Sequence, residues 1–516
     1  MNNFVRISLL LASATFIIIF SGIWVGNSKV FWSGDETISY LCATGNQENF
    51  NSVAAQTLEE AVNTTTWTNL LSINEPYCFQ RIANELSLSD LHPPLYFWLL
   101  HVYLLKFGYS LSAGVLLNIV LHLLSLVALF SLTRKLSFTP VAAATICILW
   151  ALSPAALSVD FYARQYALLG LIHLVYAGSF LSWMQQPTKT NILLLVVCST
   201  LGFLTHYSFV YTAGGYFMFA LFHYKKIGLS HIVALATTYI VAGLLLSLLH
   251  PHFAHQFQLQ QQRAQSFEAI KLIARAGKTV LTFCNFFVPV LLLKQLLVSI
   301  PSKLLLVLAG LSSAALALCG WMMRNRIRNL LLFIRSYTLQ TISFPAFIAC
   351  WISLVTIIPY LLFITPFHSM GAQYLVCLYP FMAILLFKLI GQSQPQIIIF
   401  CVVLLGGSCL SAYMFSAKQT SFIPLREQVR EAGYIVCDKG DRRNIGRIIP
   451  YLQQDKTILI NAQLNVQTID TVTTPALILI STYEKPNAAL TADQQYYDFE
   501  DWGGFVVVQG SGNAAN

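Results

Sequence analysis

"FIIIFSGIWVGNSKVFWSGDETISYL" covers residues 16–41 and sets the problem for the whole chain. Its first half is an apolar run, and its second half puts Asp35 and Glu36 side by side directly after it. The rest of the chain is as apolar as this opening. Of 516 residues 56% are hydrophobic and only 10% charged, with a mean hydropathy of +0.64. A soluble globular domain carries roughly 25% charged residues. Many runs reach the roughly 18 to 20 apolar residues that a spanning helix needs. The fold class is therefore an α-helical polytopic membrane protein. The formal net charge of +9 reads as Lys and Arg gathered in cytoplasmic loops, not as a nucleic-acid surface. The 11 Cys include no CxxC pair, so no metal site or redox motif follows. Cys42 and Cys78 share a polar loop and would be able to pair if it faces an oxidising compartment.

Working outward, the first span runs over about 7–25 and reads as an uncleaved anchor. The polar stretch 26–92 follows. Within it "QTLEEAVNTTTW" and "FQRIANELSLSD" have helical spacing and read as surface helices. "HPPLYFWLLHVYLLKFG" (92–108) is short for a crossing and rich in aromatics, which suits a helix lying in the membrane plane. That choice puts Arg134 and Lys135 inside after a span at 111–132. Spans near 140–157, 165–184, 190–204, 208–223 and 230–249 then alternate, with Lys189, Lys225 and Lys226 inside. One of 278–299 and 303–323 is surplus to the parity that keeps the basic stretch 324–336 inside. Spans near 341–364, 374–390 and 396–416 complete about 11 to 13 crossings. From about 420 the composition changes: "LREQVREAGY" is an amphipathic helix, and "KTILINAQ", "PALILIST" and "FVVVQG" are strand-like. The organisation is a transmembrane module over 1–419, with its first external loop at 26–110, and a small soluble α/β domain over 420–516 outside the membrane.

This topology puts polar groups at one face. Asp35 and Glu36 follow the first span, His92 opens the in-plane segment, and Asp160, Arg164 and Tyr166 precede the fourth span. His206 and Tyr207 sit at the next outer turn, with His368, Gln373 and Tyr374 at another. Each alone has an ordinary explanation: a helix cap, a snorkelling cation, a loop histidine. Ionisable groups gathered at membrane depth are costly and mark functional sites.

The ordered set "SGDET", "LHPPLYFWLLHVYLLKFG", "SPAALSVDFYARQYALLGL", "THYSF" and "GAQYLVCLYPFMAILL" resembles the bacterial glycosyltransferases of the protein-mannosyltransferase and aminoarabinose-transferase type, the family 39-like enzymes of GT-C fold. The resemblance covers roughly 30–390 and lies in order and spacing, since each motif is short. It implies an inverting transferase that takes a sugar from a polyprenyl-phosphate donor at the outer face of the bacterial inner membrane. By resemblance Asp35 is the general base, with Glu36 beside it. His92, Arg164, Tyr166, His206, Tyr207, His368, Gln373 and Tyr374 face the donor's lipid phosphate, and Asp160 is a second acid. The family commonly has Arg where Gln373 stands, and often Glu-Ala-Arg where this chain has Tyr162-Ala163-Arg164. His368 and Arg164 are the candidates to supply the missing charge.

The chemistry agrees. An acceptor hydroxyl needs a positioned base, and a departing phosphate needs cations. No P-loop or dinucleotide fingerprint is present, which agrees with a lipid-linked rather than a nucleotide-linked donor. Asp35, Glu36 and Asp160 are hard-oxygen groups of the kind that hold a divalent cation, but the resemblance implies no metal and no cofactor. The acceptor is a glycolipid, a polysaccharide or a protein. The competing readings are a flippase or transporter, which would place charge near the midplane, and a polymerase or ligase of lipid-linked glycans. A fourth, anchoring the C-terminal domain, would not need Asp35, His92 and Arg164 together.

Overall fold

The computed structural model describes residues 2–250 apart from 59, 90 and 91, together with 253, 285–287, 375–391, 393–438, 442–461, 476–482, 494–498 and 504–510. The spans expected at 303–323 and 341–364, and all but three residues of 278–299, lie outside the described residues.

Helix α1 (Asn3–Ser28) leads through five residues into α2 (Gly34–Thr44). A reciprocal cap starts α2: Ser33 Oγ accepts from the Glu36 N–H at 3.2 Å and Glu36 Oε2 accepts from the Ser33 N–H at 2.9 Å. Gly45, at φ +68°, ends it in the left-handed conformation that glycine adopts without a Cβ penalty. Helix α3 (Gln47–Gln56) follows, then strand β1 (Val62–Asn63), α4 (Thr64–Thr68) and α5 (Phe79–Ser89). The helix expected over 79–90 is present as α5. The one expected over 56–67 is interrupted, helical only from Thr64 on: Val62 and Asn63 are extended because they pair with Ile458 and Thr457, a tertiary partner that local spacing does not reveal.

Helix α6 (Leu95–Phe107) also corrects an expectation. Tyr96 is buried and donates to Asn118 Oδ1 at 3.2 Å, so it is not an interface aromatic. His101 is buried as well. Its Nδ1 donates to Ala43 O at 2.6 Å and its Nε2 accepts from the Tyr77 N–H at 3.0 Å. Helix α7 (Ala113–Lys135) comes next. The span expected over 140–157 is broken into α8 (Pro140–Ala151) and α9 (Pro154–Ser158). The bend is 56°. Ser153 caps α9 by accepting from the Ala156 N–H, and Pro154 has no N–H to continue α8. A turn of 3₁₀ helix, Val159–Phe161, leads to α10 (Tyr166–Gln185), α11 (Lys189–Thr205), α12 (Phe209–Phe222), α13 (Tyr224–Ile227) and α14 (Leu229–Leu249). Then come α15 (Tyr379–Ile390), α16 (Gln394–Ser421), α17 (Ile423–Glu431) and α18 (Arg442–Ile448).

Among the described residues α1, α7, α10, α14 and the α16–α17 run are long and apolar enough to cross a membrane, and bent α8–α9 makes a sixth. The chain is a multi-pass membrane protein. One large apolar cluster joins these helices, built on buried residues such as Ile18, Leu129, Ile146, Phe180 and Ile384.

Strands β2 (Tyr434–Asp438), β3 (Thr457–Asn461), β4 (Ala476–Thr482), β5 (Gln494–Asp498) and β6 (Gly504–Gly510) form a sheet in the order β1-β3-β2-β4-β6-β5. The β3, β2 and β4 strands run parallel, and the other pairs are antiparallel. Side chains alternate across it. Ile435, Cys437, Leu477 and Leu479 enter a core shared with Phe31, Phe50 and Trp67 of the first loop, while Val436, Ile478 and Ile480 face the other side.

The sheet is sewn to the region around Asp35. Gln419 Oε1 accepts from the Val30 and Phe31 N–H groups at 2.7 and 2.8 Å. Tyr451 donates its hydroxyl to Val30 O. Gly446 lies so close to Thr37 that a Cβ there would fall 2.1 Å from Thr37 Cγ2. A Gln419→Leu variant should strand two buried amides at about 1–3 kcal/mol each and lower the thermal unfolding midpoint in detergent. An unchanged midpoint would show that this junction carries no stability.

Candidate active site

Successive helical residues point about 100° apart, so the first turn of α2 sends its two acids in different directions. Glu36 turns inward. Its carboxylate takes a proton-bearing group from every side: the Lys29 ammonium, the Ser33 N–H at 2.9 Å and the Ala163 N–H at 2.8 Å. Lys29 Nζ also donates to Phe161 O at 2.8 Å. The two side chains are 0% and 1% exposed. Burial pushes the Lys29 ammonium down from its usual pKa, and the charge of Glu36 pushes it back up. Glu36 thus binds the end of α1, the start of α2 and the loop before α10 together.

Asp35 points the other way and keeps 28% of its side chain exposed. Beneath it lies the buried guanidinium of Arg164. Nη2 is 3.5 Å from Asp35 Oδ2 and donates to His92 Nε2 at 3.0 Å. Nη1 donates to Asp35 O at 3.2 Å and to Ser39 Oγ at 3.3 Å. A guanidinium has only donors, so His92 accepts through Nε2 and carries its proton on Nδ1. The His92 and His206 rings lie 6.2 Å apart, and the Tyr166 ring is 5.9 Å from His206. His206 Nδ1 accepts from the Ser208 N–H at 3.1 Å. The protein packed around His206, with His92 and Arg164 alongside, pushes it down to about 3.

The structure therefore brings Asp35, His92, Arg164, Tyr166 and His206 to one place. Tyr207 adjoins them in sequence and is partly exposed. Asp160 is elsewhere: it turns away into the bundle, its Oδ2 2.6 Å from His122 Nδ1. His368, Gln373 and Tyr374 lie outside the described residues. Among the described residues no three His, Cys, Asp or Glu side chains gather to hold a metal ion; Cys42 and Cys78 are not joined to each other, and Cys42 Sγ donates to Gln47 Oε1 at 2.8 Å. Lys29, Ser39, Asn118 and His122 were not singled out by the sequence. The signal available was polar groups inside apolar runs, at Asn118 and His122 in α7.

The arrangement offers chemistry. A part-exposed carboxylate sits over a fixed cation, with the imidazoles of His92 and His206 close by, at the end of a set of apolar helices. A carboxylate so placed can take a proton, and the guanidinium can grip an oxyanion.

No family model matches the chain, and no curated protein matches it. Among solved structures it is similar to ArnT from Cupriavidus metallidurans bound to undecaprenyl phosphate, at 15% identity and a TM-score of 0.39, over 98% of each chain. It is also similar to ArnT from the same organism in the apo state, at 12% identity and a TM-score of 0.47, over 97% of each chain.

The depressed His206 has a consequence for stability. The folded protein keeps this ring neutral, whereas the unfolded chain protonates it below its ordinary pKa of roughly 6.5. Its contribution is full above that pH and is lost as pH falls toward about 3. Melting midpoints measured between pH 7.5 and 4.5, a window of roughly 3 pH units, should fall less steeply in His206→Asn than in the parent protein. Equal slopes would show that His206 does not drive the loss.

Proposed function

We propose that the protein is a membrane glycosyltransferase of GT-C type. It moves a sugar from a polyprenyl-phosphate donor to an acceptor hydroxyl at the extracytoplasmic face of the bacterial inner membrane. The observation that carries this reading is the apposition of part-exposed Asp35 to buried Arg164, flanked by His92 and His206. The motif resemblance over 30–390 supports it from the sequence side.

In this reading the acceptor oxygen attacks the anomeric carbon as Asp35 takes its proton. The bond from that carbon to the phosphate oxygen breaks on the opposite face, which inverts the centre. The polyprenyl phosphate leaves with the bonding pair, and Arg164 stabilises its charge. The Asp35 carboxylate meets Arg164 Nη2 at 3.5 Å, long for a charge-assisted hydrogen bond, so an arriving phosphate can compete for the guanidinium. His92 donates nothing to the guanidinium and leaves its charge undiminished. Glu36 holds the two loops in register instead of sharing the proton transfer. The donor site needs no cofactor on this account, and the acceptor is a glycolipid, polysaccharide or protein hydroxyl.

Transfer of radiolabelled sugar from defined polyprenyl-phosphate sugars, assayed in membranes, tests the assignment. Asp35→Asn should lose about 10²- to 10⁴-fold in rate while still binding the donor. Glu36→Gln should show a different defect, losing about 3–5 kcal/mol of stability because it strands Lys29 in the interior. Equal transfer by Asp35→Asn and the parent protein would remove Asp35 as the base.

A further inference from the structure

We infer that His122 is a positioning residue that sets the depth of Arg164, acting with Asn118 and Gly114 from one face of α7. This rests on Arg164 being the phosphate-binding cation proposed above. The three residues are spaced four apart, so they lie one above another along the helix. All three are buried, and each holds the next part of the segment that ends in Arg164. At the lowest position His122 Nδ1 meets Asp160 Oδ2 at 2.6 Å. One turn higher, Asn118 Nδ2 donates to Tyr162 O at 2.6 Å. One turn higher again, Gly114 faces Ala163: a Cβ on Gly114 would fall 2.2 Å from Ala163 Cβ.

The opposite side of the same segment is held by Lys29 at Phe161 O and by Glu36 at the Ala163 N–H. Residues 160–163 are thus gripped from two directions, and the next residue projects its guanidinium under Asp35. A shift of the segment along α7 would move Arg164 with it. Only the lowest contact pairs two titratable side chains, and both are nearly inaccessible, at 4% and 2% exposed. Its other two polar atoms, His122 Nε2 and Asp160 Oδ1, have no hydrogen-bond partner among the described residues. His122 and Asp160 line a cavity with Ser125, Trp150 and Val376, with room of about 20 Å³ for the centre of a water. That suffices for one bridging water. A buried carboxylate that loses its partner must find another or move, so removing His122 frees the segment from below.

The test uses the full-length protein in detergent. His122→Phe keeps the ring volume and removes the donor to Asp160, while His122→Gln keeps a donor. Hydrogen exchange of the peptide that contains Ala163 should rise about tenfold in His122→Phe, with α14 unchanged, and return toward the parent rate in His122→Gln. With a polyprenyl-phosphate sugar as donor, His122→Phe should raise KM about tenfold and change kcat little. The double variant His122→Phe/Arg164→Ala should be no weaker than Arg164→Ala alone. Unchanged exchange and KM in His122→Phe, or losses that add in the double variant, would overturn the inference. If His122→Phe does not fold, Asn118→Ala removes the middle contact and is read in the same way. Absence of transfer and of donor binding in the parent protein would sink the glycosyltransferase reading, while the exchange arm would still decide whether His122 holds the segment.

Discussion

A charge buried at the end of a membrane helix must be matched, and Lys29 is matched by Glu36. The idealised cost of taking such ions from water is large, and it is recovered only when the remaining hydrogen-bonding capacity is also used. Here it is used. Lys29 has a second acceptor in Phe161 O, and the Glu36 carboxylate has the Ser33 and Ala163 amides. The pair also specifies geometry, because its contacts come from three separate stretches of chain. They fix the angle at which α2 leaves α1 and the approach of the loop before α10. Asp35 and Arg164 each adjoin a residue of this latch and inherit their separation from it.

The same logic explains why the sheet does not hang from the membrane helices as an independent body. Residues 29–37 are too polar to be held by lipid and too short to make a core of their own. Gln419, Tyr451 and Gly446 supply what they lack: acceptors and donors for exposed backbone, and a close-packed surface against Thr37. Phe31, Phe50 and Trp67 pack with Ile435 and Leu479 in one core.

How much of this could be read from residues alone follows from what each signal contains. The long apolar runs at α1, α7, α10 and α14 are local, and they announce themselves. So do the strand-like runs 457–461, 476–482 and 504–510. Adjacency of Asp35 and Glu36 was visible, but which acid turns inward depends on Lys29 and on Ala163, more than a hundred residues away in sequence. The break between α8 and α9 had a sign in Ser153-Pro154, hidden by apolar residues on both sides. In segment 56–67 helical spacing competes with a strand partner at 457–458. His122 lies inside a span whose mean character is apolar, and sequence position alone does not say that Asp160 turns into the bundle rather than outward.

Strand β1 contributes only Val62 and Asn63 to the sheet, and the adjoining Thr64 is bonded to a residue 392 positions later. During synthesis at roughly 5–20 residues per second, the first loop exists for about 20–80 s before that partner is made. Throughout this interval the surfaces of Phe31, Phe50 and Trp67 have no sheet to pack on, and the region around Asp35 lacks the contacts that hold it. The region around Asp35 is thus completed only after residue 456 has been made. The shortness of β1 suits this delay, since two residues offer little template for pairing with the wrong chain.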